Sequence, residues 1–147
     1  MTRSKTYSYT IPIFYVNIKV MVGLTFEDIM SSRIFTPEDR VEHKDSAALC
    51  FIHKGTIYIA ISSHDDDIQY MVHEIVHAKN FLYKMRNIQL DVNNDENEAY
   101  LIQHIYQKCM EARRKFINFV SKQRDNETIA QPSIGVSGPQ CQIKQKD

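Results

Sequence analysis

The chain has 147 residues, with 18 basic and 18 acidic side chains and no formal net charge. This length predicts one domain with a modest core, and the charge balance argues against a general electrostatic grip on nucleic acid. Apolar runs fall short of the roughly 20 residues of a membrane span, and the polar N-terminus lacks a signal-peptide core. The three widely spaced cysteines favour free thiols. We therefore expect a cytoplasmic protein without a membrane partner.

The first predicted element is a strand within residues 10–23. This stretch is rich in β-branched and aromatic side chains. In its later part Val16, Ile18, Val20 and Val22 alternate on one side, which is the period of a half-buried strand.

A short helix and a hairpin are predicted next. Thr25 opens the helix, with two acidic residues in its first turn. Residues 36–46 form a charged segment that we expect to be irregular. Lys54 and Gly55 then separate two apolar runs, a spacing that predicts a β-hairpin.

Two long helices are predicted in the second half of the chain. Residues 65–67 are three aspartates that supply caps and negative charge at the start of the first helix. This helix is apolar over most of its girth, so we expect it to be largely buried. The second runs from about Asp95 to about Lys122. Residues 123–147 have no aromatic side chain and predict a disordered tail behind a folded domain of residues 1–122.

The first long helix carries the stretch "YMVHEIVHAKNF", in which His73 and His77 are four residues apart. On a helix this spacing points both imidazoles the same way. Two ring nitrogens can then reach one zinc ion at about 2.0–2.1 Å each. A pair of hydrogen-bonded core histidines is the alternative, since the pattern fixes only three positions.

Glu74 directly follows the first of these histidines. It is turned by about 100° from that residue on the helix, so it flanks the pair where a general base would stand. The predicted chemistry is hydrolysis of a peptide bond by a zinc-activated water, with Glu74 accepting the proton and passing it to the leaving amine.

A catalytic zinc needs a third protein ligand and one open position. The sequence offers Asp91, Asp95, Glu96, Glu98 and His104. Helical periodicity alone leaves Glu96 and Glu98 both open. A carboxylate at position 98 shares a face with apolar residues, where burial is costly unless it binds a metal or a partner. His104 lies two turns, about 12 Å, beyond the first of these glutamates.

These residues together resemble the minimal gluzincin-type zinc metallopeptidases. The resemblance is to small phage- and prophage-encoded proteins and, more distantly, to ImmA/IrrE-type peptidases. It rests on "HEIVHAKNF" and "NDENEAYLIQHI". It implies an α+β, zincin-like domain in which a short antiparallel or mixed sheet packs on the active-site helix and on a second, glutamate-bearing helix. It also implies one Zn²⁺ held by His73, His77 and Glu96, with Glu74 as the base and Glu98 as the alternative ligand.

Two more polar residues have roles that the sequence leaves open. Tyr100 is one turn past Glu96. Its hydroxyl would stabilise an oxyanion, or its ring would simply pack in the protein with the hydroxyl hydrogen-bonded. Asn80 would orient one of the two histidines or lie on the helix surface.

The main hypothesis is therefore a zinc metallopeptidase whose peptide or protein substrate pairs with an edge strand of the sheet. The first alternative is a phage-type interaction or structural protein that binds zinc without catalysis. The second is an α+β domain without a metal. If the gene belongs to a phage, the cytoplasm is that of the host.

Overall fold

The computed structural model describes residues 2–93 and 95–129. Their elements follow in the order β1 (Ser4–Ile11), β2 (Val16–Gly23), α1 (Phe26–Met30), α2 (Pro37–Glu42), β3 (Ala48–His53), β4 (Thr56–Ser62), a 3₁₀ turn (Asp65–Asp67), α3 (Ile68–Arg86) and α4 (Glu96–Ile129). The predicted α+β class is confirmed. The predicted disordered tail falls largely on residues 130–147, which lie outside the described residues.

The four strands form one mixed sheet in the order β1-β2-β4-β3. β1 and β2 are an antiparallel hairpin, β3 and β4 are a second one, and the parallel pairing of β2 with β4 joins them. The predicted hairpin at Lys54 and Gly55 is confirmed. Both residues have positive φ angles, 48° and 73°, as a two-residue turn between twisted strands requires.

The single strand expected within residues 10–23 is wrong, because two strands meet there. A turn interrupts the stretch after Ile11, and β1 begins much earlier, at Ser4. Pro12 has no backbone N–H for the sheet ladder, and Tyr15 adopts a left-handed φ of 49° that closes the turn. The polar N-terminus gave little indication of β1, whose core-facing side carries Tyr7, Tyr9 and Ile11.

The larger core lies between the sheet and the helices α3 and α4, which cover the same face. The alternation predicted for β2 is confirmed, since its four valine and isoleucine side chains all enter this core. The fully buried helix residues that meet them include Ile75, Leu82, Ile105 and Phe116.

A smaller core on the opposite face holds α1 against the sheet. Phe26, Ile29 and Phe35 pack there. The predicted start of this helix is confirmed, because Thr25 forms a capping box with Asp28. The glycine at the end of β2 is required at that position, since a Cβ on it would meet the carbonyl oxygen of Thr25 at 2.6 Å.

The irregular segment expected over residues 36–46 is wrong in its first half, which forms α2. Thr36 accepts a hydrogen bond from the backbone N–H of Asp39, whose side chain in turn caps Thr36, and Pro37 occupies the first helical position. These are strong start signals, which the density of charge in the segment obscured.

The expectation that α3 is largely buried is also wrong. Tyr70, Val72 and Val76 are 46%, 43% and 39% exposed, so only one side of the helix enters the core. The aspartates before it do not cap it through their side chains. Instead Ser62 donates a hydrogen bond to Asp67. α4 also exceeds its predicted end, continuing to Ile129.

Candidate metal centre

His73 and His77 stand on the side of α3 that faces away from the core. Met71, Ile75 and Leu82 bury the opposite side of the helix against the sheet, and both histidines are exposed. The apolar spacing of the helix therefore fixes the direction in which the two imidazoles point.

The two imidazoles converge on one point. Their Nε2 atoms are 3.0 Å apart, and the rings, 4.7 Å between centroids, are inclined at 75°. Two nitrogens bound to a tetrahedral zinc at 2.0–2.1 Å stand about 3.3–3.4 Å apart, so a small rotation of the rings fits the pair to an ion. Metal binding requires both Nε2 lone pairs, with the ring protons on Nδ1.

Glu74 completes this cluster. One carboxylate oxygen of Glu74 and one nitrogen of each histidine all lie within 4.8 Å of one another. Glu74 is half-buried. Burial is the main cause that raises the pKa of the Cys50 thiol, and the negative charge of Glu74 adds to this effect. The two imidazoles and the flanking carboxylate thus lie together on α3.

Glu98 is engaged elsewhere. Its carboxylate forms an ion pair with the ammonium group of Lys79, whose side chain is only 4% exposed. Lys79 is therefore the partner that a half-buried carboxylate at position 98 requires. Lys79 was not predicted from the sequence as this partner. Its signal was a lysine on the core side of α3, beside Ala78 and Leu82, where a cation needs a counter-charge.

Glu96 is the first residue of α4 and is exposed. Within residues 2–93 and 95–129, the His73–Glu74–His77 cluster is the one group of three potential metal ligands, so Glu96 is not brought into it. Its role as third ligand stays a prediction. Asp91 accepts a hydrogen bond from the backbone N–H of Asn93, as a turn residue does.

The other polar residues lie apart from this cluster. Asn80 is exposed on α3. Tyr100, which is 64% exposed, and His104 line a separate cleft beside the β1–β2 turn. Their proposed roles in catalysis stay predictions.

A buried arginine anchors the start of α3 to α4. Arg113 donates hydrogen bonds from Nη2 to the carbonyl oxygen of Ser63 at 2.5 Å and to Asp65 at 2.6 Å. Arg113 itself is only 6% exposed, whereas the Asp65 side chain is 91% exposed. The buried guanidinium therefore ties α4 to the segment that leads into α3.

The chain matches no protein-family model, no curated protein and no solved structure. None of the helices in the described part is long and apolar enough to cross a membrane. The His73–Glu74–His77 cluster is therefore the feature from which an activity can be inferred.

Proposed function

We propose that this protein is a zinc-dependent metallopeptidase. The observation that carries the proposal is the convergence of the His73 and His77 Nε2 atoms, 3.0 Å apart, with the Glu74 carboxylate beside them. Two neutral imidazoles are good zinc ligands, and an adjacent carboxylate is the group that hydrolysis needs as a base.

Each side chain of the proposed site has a separate role. His73, His77 and Glu96 would hold one Zn²⁺, which, when bound, polarises a carbonyl group and makes a water more acidic. Glu74 accepts a proton from the attacking water. It then donates this proton to the nitrogen of the leaving amine, so that the carboxylate is regenerated in each cycle.

The substrate would approach along β3. This strand is an edge of the sheet, so one row of its backbone N–H and C=O groups has no partner strand within the sheet. The helix α3, which carries Glu74, packs against β3. A peptide added as a fifth strand would pass beside the cluster.

A second function is favoured by the composition of the cluster. Neither Glu96 nor Glu98 belongs to it. If Glu74 itself bound the ion, His73, Glu74 and His77 would form a metal site without a base. The protein would then be a zinc-binding interaction or structural protein.

Metal content and peptide cleavage distinguish the two functions. Zinc content is measured on wild type, Glu74→Gln and the control Glu42→Gln, which changes an exposed carboxylate on α2. A library of unstructured peptides is then used to measure cleavage. The peptidase proposal expects stoichiometric zinc in all three proteins and a loss of about 10²–10⁴-fold in rate for Glu74→Gln alone.

Two outcomes contradict the proposal. Zinc in wild type with no cleavage, and loss of zinc in Glu74→Gln, would establish Glu74 as a ligand and favour the second function. Absence of bound zinc in the wild-type protein would exclude both functions.

A further inference from the structure

A second cleft lies at the start of α4, beside the turn between β1 and β2. Its volume is about 800 Å³, within the range of roughly 300–1,000 Å³ typical of small-molecule sites. Phe14, Tyr83 and Leu101 form part of its apolar wall. Ile13 and Tyr100, 84% and 64% exposed, belong to its lining, so large apolar surface is presented at its open side.

The polar groups of this cleft are three amides, one imidazole and two phenol hydroxyls, from Asn97, Gln103, Gln107, His104, Tyr83 and Tyr100. The twelve lining residues, all in the described part of the chain, include no Asp, Glu, Lys or Arg. A charged group bound here would lose water without gaining a counter-ion, which is costly. The lining therefore favours a neutral ligand.

His104 has an unmet hydrogen-bonding group. Its Nε2 atom is buried and has no hydrogen-bond partner in the described part of the protein. Buried polar atoms without partners are uncommon, because the loss of their water is not repaid by another bond. A ligand in the cleft can supply the missing partner.

We propose that this cleft binds an uncharged heteroaromatic molecule of the purine nucleobase or nucleoside class. Primary amides match the adjacent donor and acceptor atoms on a purine edge, and three of them line the cleft. The exposed ring of Tyr100 offers a face for stacking, which contributes to base binding in many proteins. The absence of lysine and arginine from the lining selects the nucleoside over the nucleotide.

The proposal does not depend on the metal cluster, since the cleft shares no residue with it. The probe is adenosine, added to the full chain while the ¹³C–¹H signals of the histidine rings are followed by NMR. At the binding efficiency per atom that is usual for drug-sized molecules, a ligand of this size binds with Kd on the order of 0.1 mM. We expect the His104 signals to shift and saturate.

Two variants test the part played by the imidazole. His104→Phe keeps a planar ring but removes the hydrogen bond, so adenosine affinity should fall about tenfold. Its Tm should not fall, because the lost atom has no partner in the free protein. His64→Phe changes an exposed histidine outside the cleft and should leave both quantities unchanged.

Three results would overturn the assignment. The first is that adenosine, at concentrations well above the expected Kd, causes no shift of the His104 signals. This holds whether or not indole, a purely aromatic probe, shifts them. The second is equal adenosine affinity for wild type and a folded His104→Phe protein. The third is tighter binding of adenosine monophosphate than of adenosine, since a phosphate finds no cation in this lining.

Discussion

The roles of Glu96 and Glu98 can be separated by measuring stability and zinc affinity in the same variants. Glu98→Gln keeps the shape of the side chain and removes its charge. The ammonium group of Lys79, 4% exposed, then stays buried without a counter-charge. Breaking a fully buried ion pair in this way costs about 3–5 kcal/mol.

The expected cost is smaller here because the Glu98 side chain is 29% exposed, so water already screens part of the attraction. We expect a loss of about 1–3 kcal/mol in the free energy of unfolding. In a chain of this size that corresponds to a fall of about 3–10 °C in Tm. The zinc affinity of the folded protein should be unchanged.

Glu96→Gln should have the opposite effect. This residue is exposed at the start of α4, so the stability of the metal-free protein should change by less than about 0.5 kcal/mol. Loss of an outer-shell partner alone weakens metal binding by about 10–100-fold. Loss of a ligand should therefore weaken zinc binding by more than about 100-fold.

The assay combines thermal unfolding in the presence of a chelator with zinc affinity measured by competition against a chromophoric chelator. The double variant Lys79→Met/Glu98→Gln is the matched control. Removing both charges should recover most of the stability lost in Glu98→Gln. Loss of zinc from a Glu98→Gln protein that is as stable as wild type would assign the third ligand to Glu98. Wild-type zinc affinity in Glu96→Gln would exclude Glu96 as a ligand.

Three further predictions concern stability and thiol reactivity. Burial raises the pKa of Cys109 to about 12 and also raises that of Cys50. Because the thiolate is the reactive form, both thiols of a Cys141→Ser protein should resist a thiol reagent at pH 8 until denaturant is added. Rapid labelling of the native protein would contradict this. Phe116→Ala, at a fully buried position, should lower the free energy of unfolding by about 3–5 kcal/mol in urea titrations, and a loss below 1 kcal/mol would place this ring outside the core. Hydrogen bonds from two lysines lower the pKa of Glu111 below 4.5. Wild type should therefore be more stable than Glu111→Gln at pH 7, and this difference in the free energy of unfolding should disappear as the pH falls through that lowered pKa. A difference that grows in acid would contradict the direction of the pKa shift.

The sequence predicted most reliably where one physical signal acted alone. The alternation of apolar residues in β2, the Lys54–Gly55 turn and the helix around His73 are all local patterns, and the structure has each of them. The parallel pairing of β2 with β4 is different, because it depends on the packing of segments far apart in the chain. No period within either strand encodes it.

The errors also have identifiable physical causes. The tyrosines of β1 carry hydroxyl groups, so their apolar contribution to a sheet face was easy to miss. For α3, counting apolar residues overstated burial, since Val72 and Val76 are 43% and 39% exposed. At the candidate site, spacing predicted that His73 and His77 converge, but no local pattern reveals that Lys79 is the partner of Glu98. That contact joins two helices across a loop.

The length of α4 implies a gradient of local stability along one continuous helix. Val120 is its last buried residue among those whose burial is described, yet the helix runs on to Ile129. Residues 121–127, the part of this end whose burial is described, are exposed apart from the half-buried Gln123. This end of the helix therefore gains little from packing, and helical segments shorter than about 12 residues are marginal on their own. Amide protons beyond Val120 should exchange with solvent far faster than those near Cys109, through fraying that leaves the sheet and both cores intact.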